Sequence, residues 1–251
     1  MKRRCLVLVA TALLASPAGA QVTITSAVTV KAASMTANGS SVLSIKGTKG
    51  RMDGKVETQE LSVLTDTASR QQWKIDRIGR TVEPFTLQGA GTNLPVVFGD
   101  SKVSLKPTGE TKTVLGLACA GFAIELTVPV TVAGQSLTMK IAGRAWIAKD
   151  GPGIAEYRAF HKAAAEAGLA VVTGVMPGFG SQALAELQRS LVDAGLTLEQ
   201  DVQTTIEGGA DQIGQMLNQL GSISLTVNVT AISTDPIPDS TLALPEGYTK
   251  K

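Results

Sequence analysis

Apolar and polar residues alternate along much of this chain, the pattern of a strand with one buried face. Val22, Ile24, Val28 and Val30 fall on one side of such a strand, with Thr23, Thr25 and Thr29 on the other. The longest run ends at Val132. In it Phe122, Ile124, Leu126, Val128 and Val130 point one way, and Glu125, Thr127 and Thr131 the other. Leu137, Met139, Ile141 and Ile147 repeat the pattern opposite Thr138, Lys140 and Arg144. Ile223, Leu225, Val227 and Val229 do so opposite Ser224, Thr226, Asn228 and Thr230. Long one-sided strands suit an antiparallel sheet. Pro129 falls on the polar side of its strand and predicts an edge or a bulge there, because proline has no N–H to donate.

Shorter strands are predicted at Val42–Lys46, Gln59–Thr65, Gln71–Ile75, Thr81–Phe85, Ser101–Lys106, Lys112–Leu117 and Leu196–Ile206. Turn chemistry separates them at Asn38-Gly39, Asp53-Gly54, Asp66 to Ser69 and Ile78-Gly79, and Ala133-Gly134-Gln135 is short enough for a hairpin. Helical spacing enters only in the second half. One helix is predicted over Ile154–Ala167, after Pro152 and Gly153, with Gly168 as its stop. Another runs over Ser181–Ala194, with Ser181 as N-cap and Gly195 as stop, and a third over Asp211–Leu220. Leu169–Gly180 between the first two is apolar and glycine-rich, and no charge occurs from Ala167 to Ala185.

Two architectures fit many consecutive strands with helices near the C-terminal third. In one, a strongly bent antiparallel sheet carries the helices over its concave side; in the other, two sheets pack as a sandwich with peripheral helices. The first is favoured because the helices then cover the apolar strand faces.

The first 20 of the 251 residues have the layout of a cleavable export signal. Lys2, Arg3 and Arg4 precede an apolar run from Leu6 to Ala15, and small residues lead to Ala18-Gly19-Ala20. A run of about ten residues covers only about half of a bilayer core. Gln21 stands where a lipid-anchored protein needs cysteine, so an exported, soluble, non-lipidated chain is expected. Loss of the leader takes 23 basic residues to 20 against 21 acidic ones, a formal charge near −1. The excess positive charge leaves with the leader, and nucleic acid is not an expected partner. The chain from Gln21 on is expected to form one domain, with a helical insertion at about 153–220.

Composition removes several function classes. With 43% hydrophobic and 18% charged residues the chain is not a disordered one, and a single histidine cannot build a multi-histidine metal centre. Cys119 remains alone once Cys5 is removed, so no internal disulfide is expected. No apolar stretch beyond the leader reaches about 18 residues, so the mature chain is not expected to span a membrane. Gly47 to Lys55 has the glycines and basic residues of a phosphate loop, but three residues rather than four separate Gly50 from Gly54, and Val56 replaces the hydroxyl. It reads as a basic turn.

Cys119 and His161 form a nucleophile and base on paper. Cys119 is flanked by Leu117, Ala118, Ala120 and Gly121, with no adjacent cation to lower its pKa, and His161 neighbours Lys162. A buried cysteine and a surface histidine follow, and the chain is not expected to be an enzyme or to hold a cofactor. Around Trp73, Lys74 and Arg77 the basic cluster is interrupted by Asp76, which suits a half-buried strand better than a nucleic-acid platform. Apolar surface is what remains. Either it is a filled core, or it lines a cavity in which Ile124, Leu126, Val128, Met139, Ile141, Met176, Phe179 and Met216 contact a ligand. Flexible thioethers adapt to acyl chains, and each buried methylene contributes about 0.8 kcal/mol.

Four blocks resemble a known family in the same order. They are Ile45 to Met52, Gly116 to Phe122, Trp146 to Gly153, and Leu244-Pro245-Glu246-Gly247-Tyr248. Together they resemble an exported bacterial family of unknown function, related to periplasmic lipoprotein carriers of the LolA/LolB-like fold. The resemblance implies a half-open antiparallel β-barrel, lidded by helices over a concave apolar side that binds acylated or hydrophobic molecules. The expectation is a periplasmic, non-enzymatic binding protein for a lipid-like or acyl ligand. The alternative is an envelope protein-interaction or assembly factor with a filled core, whose partner is another envelope protein.

Overall fold

The computed structural model describes residues 21–33, 35–85, 96–132, 134–169, 182–208 and 222–251. Strands β1 (Gln21–Ala32), β2 (Met35–Lys46), β3 (Lys49–Val56), β4 (Gln59–Asp66), β5 (Gln71–Asp76) and β6 (Thr81–Pro84) form an antiparallel meander. Next come β7 (Val96–Phe98), β8 (Lys102–Val114), β9 (Leu117–Val132) and β10 (Gln135–Ala148). Helices α1 (Ile154–Glu166) and α2 (Gln182–Ala194) precede β11 (Leu196–Gly208), β12 (Ile223–Ser233) and β13 (Thr249–Lys250).

The strands form one sheet in the order β13-β6-β5-β4-β3-β2-β1-β12-β11-β10-β9-β7, with β8 also on β9. The pairing of β1 with β12 joins the two meanders, and only the short β13–β6 contact is parallel. The sheet curves without closing, a half-open barrel lidded by helices. Because every strand among the described residues belongs to one sheet, the sandwich alternative does not form.

Alternation sets which side faces inward. Leu137, Met139 and Ile141 on β10 are buried, whereas Lys140 and Arg144 are exposed. Pro129 faces outward on β9, between the residues paired to β7 and those paired to β8. The N–H of Gly99 donates to its carbonyl at 2.8 Å, so the proline marks a break in edge pairing.

Several local expectations are corrected. Gly47 to Lys55 is not a basic turn: Gly47 and Thr48 turn, and β3 takes the rest. Asn38-Gly39 and Asp53-Gly54 lie inside β2 and β3, not at turns. A Cβ on Gly39 would stand 2.2 Å from the Lys55 carbonyl, so close strand approach, not reversal, requires glycine there. The strands predicted at Ser101–Lys106 and Lys112–Leu117 are one strand, β8, with an irregularity between Pro107 and Thr111. Leu115 and Gly116, both at positive φ, make the turn, and Leu117 already opens β9.

Helix α1 starts and ends where expected. Gly153 is its N-cap at φ 74°, a position where a Cβ would strike Val22. At the far end Leu169 N–H donates to Ala164 O at 2.8 Å and Gly168 N–H to Ala165 O at 3.1 Å. This is a Schellman stop, with Gly168 in the left-handed conformation. Helix α2 ends before Gly195. The predicted Ser181 cap and the third helix, Asp211–Leu220, fall outside the described residues, and β11 occupies part of the span assigned to the insertion.

Two apolar clusters lie between helices and sheet. The first gathers Tyr157 and Phe160 of α1 over Ile24, Leu43, Ile45 and Met52. Gly50 makes room for it, since a Cβ there would stand 2.4 Å from the Phe160 ring. The second packs Leu187 of α2 on the inner residues of β9, β10 and β11. On the outer face the chain after β12 forms a strap that includes a 3-10 turn at Asp239–Leu242. Lys46 Nζ donates to Ile237 O at 3.3 Å and Asp239 Oδ1 at 2.7 Å, and Arg51 donates to Thr241 O at 3.2 Å.

Candidate functional site

A cavity of about 70 Å³ lies under α1 and α2, against the inner faces of β1, β2, β3, β11 and β12. Ile24, Leu43 and Met52 form its sheet wall, and Tyr157, Leu191 and Val192 form its helix wall. Ser26, Ser41, Gln188, Thr197, Gln200 and the Tyr157 phenol supply the polar groups, and among the described residues no charged side chain lines it. Ser26 sits opposite Ser41 in the β1–β2 register, on the same inner face as Ile24 and Val28. Two serines therefore interrupt an otherwise apolar wall at one level.

The predicted ligand-contact residues lie elsewhere on the inner wall. Ile124, Leu126, Val128, Met139 and Ile141 stand together in the second cluster, each at most 4% exposed, packed with Val202, Leu225 and Leu187. None of the five lines the described cavity. Met176, Phe179 and Met216 lie outside the described residues. Sequence reasoning placed Ile24 on the inner face and Tyr157 at helical spacing but did not join them. The missed polar pair had a visible signal: the apolar alternation of β1 skips position 26.

His161 is not on the surface, as the adjacent Lys162 suggested; it is 6% exposed. Its ring packs against Tyr157 at 4.2 Å between centroids, tilted by 48°, and meets Phe160 edge-on at 5.8 Å. Among the described residues its Nε2 has no hydrogen-bond partner, and burial pushes its pKa down to about 3. Burial likewise raises the Tyr157 phenol above its ordinary value. Cys119 is buried, its thiol raised chiefly by desolvation, and its Sγ lies 3.5 Å from Leu117 O. A thiol pushed up and an imidazole pushed down are the reverse of an activated nucleophile and its base. Among the described residues no group of three His, Cys, Asp or Glu side chains is placed to hold a metal. No helix there is long and apolar enough to cross a membrane.

Charged groups concentrate on the outer face. Asp53 receives Ser62 Oγ at 2.6 Å, Arg77 at 2.7 Å and Arg51 Nε at 3.1 Å, so one carboxylate ties β3, β4 and the β5–β6 turn. Lys112 pairs with Glu199 and stands 4.4 Å above the Trp146 ring.

No family model matches the chain, and no curated protein matches it. Among solved structures it is similar to a domain assigned to outer membrane lipoprotein sorting from Vibrio parahaemolyticus, at 7% identity, TM-score 0.34 and 88% of each chain. A LolA superfamily protein from Nitrosomonas europaea matches at 8% identity and TM-score 0.29, over 90% of this chain and 91% of that one. A DUF1329 family protein from Desulfovibrio piger matches at 8% identity and TM-score 0.33, with the same coverage. These structural neighbours are of the kinds that the four sequence blocks resemble. With TM-scores below 0.5, the architecture rests on the strand order above and the site on its own residues.

Proposed function

We propose that this chain is an exported, periplasmic binding protein without catalytic activity, which shelters a lipid-like or acyl ligand between its curved sheet and its helices. The observation that carries the reading is the cavity at the seam of the two apolar clusters, walled by Ile24, Leu43, Met52, Tyr157, Leu191 and Val192. In this reading Ile124, Leu126, Val128, Met139 and Ile141 extend the apolar wall when a longer chain enters and α2 lifts, with Met176, Phe179 and Met216 as further contacts. Apolar contact then supplies the affinity, at about 0.8 kcal/mol per methylene. In this reading the chain from Gln21 on works as a single domain.

The test uses protein exported through its own leader. Organic extraction of the purified chain, followed by mass spectrometry, is expected to release a lipid, and a fluorescent acyl probe is expected to bind and be displaced. Neither lipid nor displacement would contradict the reading. One observation favours a second reading, an envelope assembly factor with a filled core: the five inner residues are already packed to at most 4% exposure. That reading expects protein partners in crosslinking and no rise in melting temperature with any lipid.

A further inference from the structure

Among the described residues the polar side chains that line the cavity are all uncharged, and this restricts what can sit among them. An ionised head group placed there would lose water without meeting a counter-charge, which is strongly unfavourable. A hydroxyl or ester would meet Ser26 and Ser41 facing each other across β1 and β2, with Thr197 and Gln200 on β11. Ser26 is only 8% exposed and lines the cavity. A hydroxyl on a cavity wall can bond a polar guest or a water. A water needs about 10–15 Å³ of such space, so the cavity of about 70 Å³ accommodates a group of roughly five non-hydrogen atoms. That is the size of a glycerol head or an alcohol with its first methylenes.

We infer that the cavity is the seat for the uncharged, hydroxyl-bearing head of a single-chain amphiphile, a monoacylglycerol or long-chain alcohol, and that it discriminates against fatty acids and other anionic lipids. The inference rests on the proposed binding function and specifies its ligand class. The head bonds to the Ser26–Ser41 pair and to Gln200, and the chain runs along the apolar wall between Leu43 and Leu191. Selectivity follows from what the anion would leave unpaired.

Displacement of one fluorescent acyl probe from the full exported chain at pH 7.5 tests this, using competitors of equal chain length. Monoacylglycerol is expected to compete at least about tenfold better than the fatty acid or the alkane. In S26A/S41A its advantage over the alkane is expected to shrink at least about fivefold while alkane competition is unchanged. Thermal melting checks that variant's fold, and Gln200→Met, outside the serine pair, is the second variant and is expected to shift the same ratio. Fatty acid competing as well as monoacylglycerol, or an unchanged ratio in both variants, overturns the head-group inference and leaves the binding function standing. Failure of the probe and every competitor to bind overturns both.

Discussion

Among the described residues one buried imidazole nitrogen on helix α1 has no partner: His161 Nε2 lies beside Tyr157 and Phe160, and burial pushes its pKa down to about 3. The folded value is below the unfolded one of about 6.5, so the unfolded chain takes up the proton first as pH falls. Stability from a neutral His161 is complete above about pH 6.5 and is lost as the pH falls toward 3. Urea unfolding should show the protein losing about 2 kcal/mol more than His161→Leu between pH 7.5 and pH 5. Parallel pH profiles for the two would contradict this assignment. The burial was legible in part, since Tyr157, His161 and Ala164 recur at helical spacing. Lys162 pointed outward, but charge on a neighbouring residue says nothing about the next position round a helix. Ser26 was legible the same way, as a polar residue where β1 should continue its apolar face.

Strands are the elements that sequence reads best here, because a period of two survives wherever one face is buried. β9, β10 and β12 lie where their alternation placed them. β3 escaped because its inward positions are Gly50, Met52 and Gly54, and one apolar residue makes no pattern. The space at Gly50 belongs to Phe160, more than a hundred positions away, a relation that no local window contains. The C-terminal strap was equally hidden, since its fastenings are Lys46 and Arg51 on distant strands. These fastenings differ in expected weight. Arg51 is 13% exposed and bonds Asp53, Ser62 and Thr241 O, so Arg51→Ala should cost about 1–3 kcal/mol in urea unfolding and speed proteolysis near residue 241. Asp239, held below the usual carboxylate range by its hydrogen bond to Lys46, is fully solvated. Asp239→Asn should leave the melting temperature unchanged at neutral pH. Equal effects from both changes would contradict this ranking.

At the scale of the whole molecule, the bent sheet and its helical cover were expected from one-sided strands that needed burying, but the strand order was not. The β1–β12 pairing brings together residues about two hundred positions apart, and alternation carries no information about which strand neighbours which. That seam matters most for the site. It places Ile24 and Ser26 of β1 beside Val227 and Val229 of β12, so the cavity forms where the two meanders meet. The long β9–β10 hairpin drew attention to Ile124, Leu126 and Met139, whereas the described cavity lies across the sheet, beneath the junction of α1 and α2.

A crystal of the exported chain grown with a brominated monoacylglycerol gives the most direct test, because bromine's anomalous signal locates the chain without reference to any other density. The account predicts one peak on the inner face, between Leu43 of β2 and Leu191 of α2. Bromine on the outer surface alone, or no ordered bromine in protein saturated with the lipid, would contradict it.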